Sequence, residues 1–163
     1  MNYSIRKFTS GDKQAVIDIF NYFVGNSYAA YPEKKVGLVF IEKLEELAIN
    51  DSFYVVETSK KKIIGFGLLK RHHAYEVFNR TAELTYFILP DHVRRGLGSK
   101  LLTILTNDAR EAKIDTLLAH ISSLNEGSII FHKKHGFAEC GKFRRIGRKN
   151  DKDFDIIWMQ RFI

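Results

Sequence analysis

The sequence predicts a mixed α/β fold: a central, mostly antiparallel sheet of about seven strands flanked by about four helices. Three observations predict it. Two segments with helical hydrophobic spacing come early in the chain. A strand hairpin and a third strand follow them. Strands and helices then alternate before two closing strands. The resulting order is strand, two helices, three strands, helix, strand, helix, two strands, which suits one sheet with helices on both faces.

Residues 3–8 read as a short strand. Thr9 or Ser10 then caps a helix, with Asp12 in its first turn. That helix runs to about residue 23 and buries Val16, Ile19, Phe20 and Phe23 at helical spacing. Gly25-Asn26-Ser27 breaks it. A second helix begins at 33 or later and runs to 50, with Phe40, Leu44 and Leu47 on one face. Residues 53–57 and 63–70 read as strands around a Lys60-Lys61-Lys62 turn, which makes a hairpin. Residues 81–89 are rich in Thr, aromatic and branched side chains and give another strand, stopped by Pro90. Gly96-Leu97-Gly98 opens a helix over about 99–112. Residues 116–121 form a strand. A short helix over 126–134 ends at Gly136, a normal C-terminal glycine. The final strands are 137–143 and 154–162.

The 163 residues fit one domain, 1–163, with no Gly/Ser/Pro linker and only two prolines, Pro32 and Pro90. Hydrophobic residues at 45% and charged ones at 28%, with both signs mixed, argue for a globular chain and against disorder. A single cysteine, Cys140, excludes an internal disulfide, and we expect it in the core. Met1 leads into Asn2-Tyr3-Ser4 without a basic-then-apolar leader, and no apolar run is long enough for a bilayer. The expectation is a cytoplasmic protein with no membrane partner. The formal net charge of +7 points to a polyanionic ligand or to solvated basic surface. Lys60-Lys61-Lys62 forms one basic cluster, and Arg144, Arg145, Arg148, Lys149 and Lys152 form another. Each cluster taken alone reads as solvated surface.

Three segments carry chemistry. The first is Arg94-Arg95-Gly96-Leu97-Gly98-Ser99, between a strand and a helix. Its glycines allow close backbone approach, and the helix N-terminus offers unpaired N–H groups to an anion such as a pyrophosphate. The pattern also fits a plain strand-to-helix turn. It lacks the lysine of a nucleotide P-loop and the spacing of a dinucleotide fold. The second segment runs from Asn125 through Ser128, Phe131 and His132 to Gly136-Phe137. Read locally, Asn125 caps a helix, Phe131 is core and His132 is a surface or satisfied histidine. A metal site using His132, His135 and His120 is disfavoured by the spacing, so no metal is expected. The third is Glu83 in Thr81-Ala82-Glu83-Leu84-Thr85. Strand alternation places Thr81, Glu83, Thr85 and Phe87 on one face. A carboxylate there is costly unless it is paired, functional or able to reach solvent at a strand end.

Together these segments resemble the GNAT N-acetyltransferases, and more narrowly the phosphinothricin acetyltransferase group. The resemblance covers nearly the whole chain in matching order. Ser4-Ile5-Arg6 with Asp12, Thr81-Ala82-Glu83, Pro90, Arg94 to Ser99, Asn125, Ser128, His132, Gly136-Phe137, and Asp155 with Trp158 and Gln160 fall in register. The resemblance implies the GNAT fold and acetyl-CoA as cosubstrate. It implies that the backbone of Tyr86, Phe87 and Ile88 pairs with the pantetheine arm. Arg94, Arg95, Gly96, Leu97, Gly98 and Ser99 then hold the pyrophosphate. Asn125 and Ser128 lie by the cofactor, His132 lies near its sulfur, and Glu83 is the general base. Such a base removes a proton from an amine that arrives mostly as ammonium, most usefully if burial raises its pKa. A histidine can return a proton to the leaving thiolate near neutral pH. Backbone N–H groups on the split strand can stabilise the oxyanion.

The sequence departs from that pattern in three places. Val93 stands where the phosphate loop usually begins with Gln or Arg, Phe154 where a histidine is expected, and residues 75–80 form a longer insert before Glu83. Substrate-holding basic residues are sought among Lys70, Arg71, His72, His73 and Arg80, and Tyr31 is a further candidate for the acceptor pocket. The expected activity is acetyl transfer to a small amino-acid-like amine, with pairing as a homodimer implied by the resemblance. A protein N-terminus or lysine as acceptor keeps the same fold. A non-catalytic nucleic-acid binder would need a recognised motif or aromatic–basic interleaving, and the chain has neither.

Overall fold

A computed structural model describes residues 2–163. In chain order the elements are β1 (Tyr3–Lys7), α1 (Lys13–Asn26), α2 (Leu38–Leu47), β2 (Ala48–Thr58), β3 (Ile63–Arg71), β4 (Thr81–Ile88), α3 (Leu97–Glu111), β5 (Thr116–Ser122), α4 (Glu126–Lys134), β6 (Ala138–Lys149) and β7 (Lys152–Phe162). One-turn 3-10 helices at Ser10–Asp12, Glu76–Phe78 and Pro90–His92 join some of them. The seven strands form one sheet in the order β1-β2-β3-β4-β5-β7-β6. Every neighbouring pair is antiparallel except β4 and β5, which run parallel. The expected mixed α/β architecture is the one observed.

Each face of the sheet buries its own core. On one face Val16, Phe20, Ile41 and Leu44 of the first two helices pack on Phe53, Val55, Phe66 and Leu68. On the other, Leu101, Leu102 and Leu105 of α3 pack on Val56, Leu84, Leu117 and Met159. The alternation of Phe53 and Val55 against Val56 along β2 is the period-two pattern of a strand covered on both sides. Asp12 fixes the entry to α1: its carboxylate accepts from the Thr9 N–H at 2.9 Å and from the Arg6 guanidinium at 2.7 and 2.8 Å.

The sheet splits in the middle. β4 pairs with β5 only at Thr81↔Thr116, Ala82↔Leu117 and Glu83↔Leu118. Beyond that point β4 stays with β3 as far as Ile88, opposite Gly65. Meanwhile β5 stays with β7 as far as Ser122, opposite Ile156. A wedge opens between the two central strands, floored by Glu83.

Three expectations change. The second helix stops at Leu47, and Ala48 already belongs to β2. Asn50 and Asp51 both take positive φ, and the β2–β3 register shifts between Ala48 and Phe53, so this stretch is a bulged strand start. The closing strands are longer than expected. β6 runs to Lys149 and β7 starts at Lys152, joined by Asn150 and Asp151, both with positive φ, as a tight hairpin turn requires. The second basic cluster thus lies on this hairpin, where Arg145 pairs with Asp153 at 3.0 Å. Cys140 is exposed instead of core, because β6 is an edge strand whose residues there face solvent. Among the described residues no helix is long and apolar enough to cross a membrane.

Lys149 is the exception in its cluster. It is fully buried, and its ammonium donates to the carbonyls of Val24, Ser27 and Ala30 at 2.7, 2.8 and 2.8 Å. Burial lowers its pKa, opposed by the Glu33 charge. Those three carbonyls end α1 and lead directly to Tyr31. We predict that Lys149→Met, which strands them without a donor, destabilises the fold by about 2–4 kcal/mol. Urea denaturation reads this, and an unchanged midpoint would show that other donors take over.

Candidate active site

Glu83 sits at the point where the strands part, and it is almost fully buried. Across the β3–β4 ladder its direct neighbour is Lys70, whose ammonium lies 2.9 Å from Oε2. One residue past the end of β3, His72 donates from Nδ1 to Oε1 at 2.8 Å. On the β5 side the paired residue is Leu118, so His120, two further along, shares Glu83's face; its Nε2 lies 3.5 Å from Oε2. Burial pushes the Glu83 carboxyl upward, but His120, Lys70 and His72 outweigh it and hold it at about 2. Burial alone would raise the carboxyl. The structure reverses the sign, because three basic groups surround this one acid.

His120 connects to Tyr31 and Trp158. The Tyr31 hydroxyl lies 3.1 Å from His120 Nδ1 and donates to the His120 carbonyl at 3.2 Å. Burial pushes the Tyr31 hydroxyl up to about 12. Trp158 stands opposite His120 on β7. Tyr31, Glu83, His120, Phe154 and Trp158 line an outer cavity of about 580 Å3, with Arg148 and the exposed Phe143 and Ile146 of β6 at its rim.

A second cavity, of about 270 Å3, occupies the wedge. Tyr31 and His120 line it too, together with Tyr86, Asn125, Ser128 and His132. Asn125 caps α4 by accepting the Ser128 N–H at 3.3 Å. His132 is buried, and its Nδ1 donates to the Ser128 carbonyl at 2.7 Å. Its Nε2 is therefore the acceptor of the Tyr86 hydroxyl hydrogen bond. Burial lowers the His132 pKa, and its hydrogen bond to the Ser128 carbonyl only partly opposes this. His132 is thus a neutral ring backing Tyr86 rather than a free imidazolium.

The glycine turn leads into an uncapped helix start. Gly96 takes φ +75 and Arg94 φ +60, and α3 begins at Leu97 without any side-chain cap. Its first N–H groups therefore point outward with the positive end of the helix. Arg94 and Arg95 are exposed beside it. The Leu97 side chain is core, so only its backbone faces the turn. The Ser99 hydroxyl is engaged by His135 Nε2 at 2.9 Å. A diphosphate at the turn and an extended arm along the unpaired edge of β4, over Tyr86, Phe87 and Ile88, fit this wedge.

Three candidate substrate residues lie elsewhere. Arg71 and His73 line a separate cavity of about 190 Å3 with Phe78 and Asn79. Arg80 pairs with Asp115. The cause is local: residues 72–80 fold back on themselves, with His73 packed against Tyr75 and Phe78 at centroid distances of 4.9 Å. His120, considered in the sequence only as a metal ligand, and the Tyr86 side chain were missed. Strand alternation from Leu118 to His120 was the available signal for the first. Among the described residues no group of three or more His, Cys, Asp or Glu is placed to hold a metal.

The low pKa of Glu83 has a consequence for stability. Its ionised form favours the folded state fully above the ordinary value of 4.5, and that contribution is lost as pH falls from about 4.5 to about 2. We predict that Glu83→Gln flattens the fall in stability across this acid window, measured by denaturation at stepped pH. An identical slope in both proteins would contradict the ion cluster.

Comparison with known proteins agrees with this geometry. The family model for the acetyltransferase (GNAT) domain matches residues 12–158. The L-methionine sulfoximine/L-methionine sulfone acetyltransferase of Pseudomonas aeruginosa is 27% identical over 98% of this chain and 94% of its own. The crystal structure of a ribosomal-protein-alanine N-acetyltransferase from Brucella melitensis is 30% identical, with a TM-score of 0.87 over 98% of this chain and 99% of that one. The structure of yncA from Salmonella typhimurium with its cofactor acetyl-CoA is 26% identical, with a TM-score of 0.88 over 99% and 94%. The chain belongs to the GNAT acetyltransferase family and is an N-acetyltransferase that draws its acetyl group from acetyl-CoA.

Proposed function

We propose that this enzyme acetylates the primary amine of a small amino-acid-like acceptor by direct transfer, with Glu83 as the carboxylate of the reaction centre. The observation that carries the reading is the pair of cavities meeting at Tyr31 and His120. The wedge suits the donor, and the outer cavity suits an acceptor. About 580 Å3 is the size of a small-molecule site. Its aromatic walls, Tyr31, Phe154 and Trp158, take an apolar side chain, and Arg148 offers a charge to a carboxylate. The similarity to the methionine sulfoximine enzyme supports the same acceptor class.

Acetyl-CoA supplies an activated acyl carbon and a thiolate leaving group. In this reading the turn from Arg94 to Ser99 binds its phosphates, largely through backbone N–H groups. The free edge of β4 at Tyr86, Phe87 and Ile88 aligns its arm. Asn125 and Ser128 shape the wall of the wedge. Tyr86 and His132 hold the proton that finally leaves with the thiol. Glu83 stays ionised at neutral pH and attracts the acceptor's ammonium. Its partners Lys70 and His72 keep it from being neutralised. Two copies pairing as a homodimer belong to the same proposal, supported by exposed Phe143 and Ile146 on edge strand β6.

A protein N-terminal amine is the second reading, favoured by the similarity to the ribosomal-protein enzyme. Thiol release from acetyl-CoA across amino acids, methionine sulfoximine, phosphinothricin and short peptides separates the two. We expect release with a small amino acid and a loss on the order of 100-fold in Glu83→Gln. Release with peptides alone selects the second reading.

The cofactor half has its own test. A Cβ on Gly98 would lie 3.3 Å from the Phe131 ring. We predict that Gly98→Trp fills the turn and weakens acetyl-CoA binding at least about tenfold by titration calorimetry. Unchanged affinity would place the phosphates elsewhere.

A further inference from the structure

The end of α4 braces the glycine turn through two side chains one helical turn apart. Phe131 lies against Gly98, where an added Cβ would come within 3.3 Å of its ring. His135, the residue that closes α4, reaches the next position of the turn: its Nε2 is 2.9 Å from the Ser99 hydroxyl oxygen. The two rings pack on each other at a centroid distance of 4.2 Å. His135 has no part in the transfer steps described above.

The hydrogens at this contact follow from its partners. Nδ1 lies 2.8 Å from the Phe131 carbonyl, which can only accept, so Nδ1 carries a hydrogen whether the ring is neutral or charged. In the neutral ring Nε2 therefore has the lone pair, and the Ser99 hydroxyl donates its one hydrogen to it. The Ser99 oxygen then offers only lone pairs to the turn. A diphosphate is an acceptor at every oxygen and gains nothing from them. In the charged ring the same contact runs the other way. Nε2–H donates to the Ser99 oxygen, and the hydroxyl hydrogen is released toward the turn. No atom heavier than hydrogen has to move.

The charges around the ring depend on whether an anion is present. His132, Lys133 and Lys134 precede it on α4, and Lys100 follows Ser99 on α3. From β7, Arg161 lies beside Gly136, where an added Cβ would be 3.7 Å from its Nε. These cations, with Arg94 and Arg95 at the turn, oppose a further positive charge. A diphosphate reverses the local sign and supplies the acceptor for the freed hydroxyl.

We propose that His135 presents the Ser99 hydroxyl to the diphosphate of acetyl-CoA and takes up a solvent proton as the cosubstrate binds. The inference rests on placing the phosphates at the Arg94–Ser99 turn and assigns a positioning residue within that reading. The proton passes from water to Nε2, and the Ser99 hydrogen turns from Nε2 to a phosphate oxygen. No bond to carbon or phosphorus changes. The bound state holds more protons than the free one. The gain in affinity is therefore complete on the acid side of the imidazole range and is lost as pH rises through and above it.

Calorimetric titration with CoA at about pH 7.5, in two buffers of different ionisation enthalpy, counts the protons taken up. Wild type should take up on the order of half a proton more than His135→Gln, whose amide N–H keeps a donor on Ser99 without titrating. Between about pH 6.5 and about pH 9 the wild-type affinity should fall on the order of tenfold more than that of His135→Gln. The phosphates of CoA titrate with both proteins and cancel in the difference. Ser99→Ala should also lose the excess uptake, because the relay runs through the hydroxyl. Nitrogen-resolved NMR of the imidazoles should show His135 with one N–H in the free protein and two with CoA bound. Equal uptake in wild type and His135→Gln, uptake untouched by Ser99→Ala, or a single N–H in the complex overturns the proposal. If His135→Gln fails to fold, Ser99→Ala and the wild-type NMR decide it. Gly98→Trp separates the inference from the reading beneath it. Unchanged CoA affinity in that variant moves the phosphates elsewhere and removes the role of His135 with them. Weakened binding there, without excess uptake in wild type, keeps the turn and removes His135 alone.

Discussion

The parting of β4 from β5 is the constraint on which the rest depends. Backbone N–H and C=O groups must be paired when removed from water. Three parallel ladder positions satisfy them up to Glu83 and Leu118, and beyond those the facing edges diverge. β3 and β7 hold the two strands apart, because each remains paired with its own partner to the end. The wedge is therefore built into the sheet rather than cut into its surface. In the proposed reading an extended polar ligand that mimics a strand completes the edge of β4. The glycine turn that follows, after Pro90–His92, presents the uncapped start of α3 at the open end of the wedge. One topological event thus opens the edge of β4 and positions the uncapped start of α3.

The same event places a carboxylate where the two strands last touch. A buried charge at that point is tolerable only with partners, and the neighbouring strands supply them. Lys70 comes from the β3 side and His120 from the β5 side, with His72 just past the end of β3. A polar row therefore crosses the sheet from β3 through β4 and β5 to Trp158 on β7. Its ion cluster is what lowers the Glu83 carboxyl, so burial and basicity do not rise together here.

Much of this was legible in the sequence. Hydrophobic period, capping residues and glycine turns placed the elements, since those signals act over a few residues. Glu83, His132 and the Arg94–Ser99 turn stand out in the sequence because local pattern and family spacing coincide there. The errors have physical causes. Residues 144–148 show no apolar alternation because the β6 edge is largely exposed there, so the strand was invisible. The α2 end was set late because a bulge with positive φ at Asn50 and Asp51 carries no helical or strand period. Arg71, His73 and Arg80 were plausible by charge alone. Their placement depends on how the 72–80 insert folds against Phe78 and Asp115, which no local rule fixes.

The two halves of the proposed site differ in how they are encoded. The donor half consists of one strand edge and two consecutive helix starts, each readable within a dozen residues. The acceptor half is assembled at long range. Tyr31 lies in a loop anchored by Lys149, more than a hundred residues later, through carbonyls at Val24, Ser27 and Ala30. Phe154 stacks on Tyr31 from β7, and Tyr31 in turn orients His120 on β5. A buried cation far from Glu83 thereby supports the loop whose Tyr31 contacts His120. Changes in the β6–β7 hairpin can reshape the acceptor wall while the wedge keeps its donor geometry. That separation gives a physical reason why relatives sharing this fold and donor differ in the amine they acetylate.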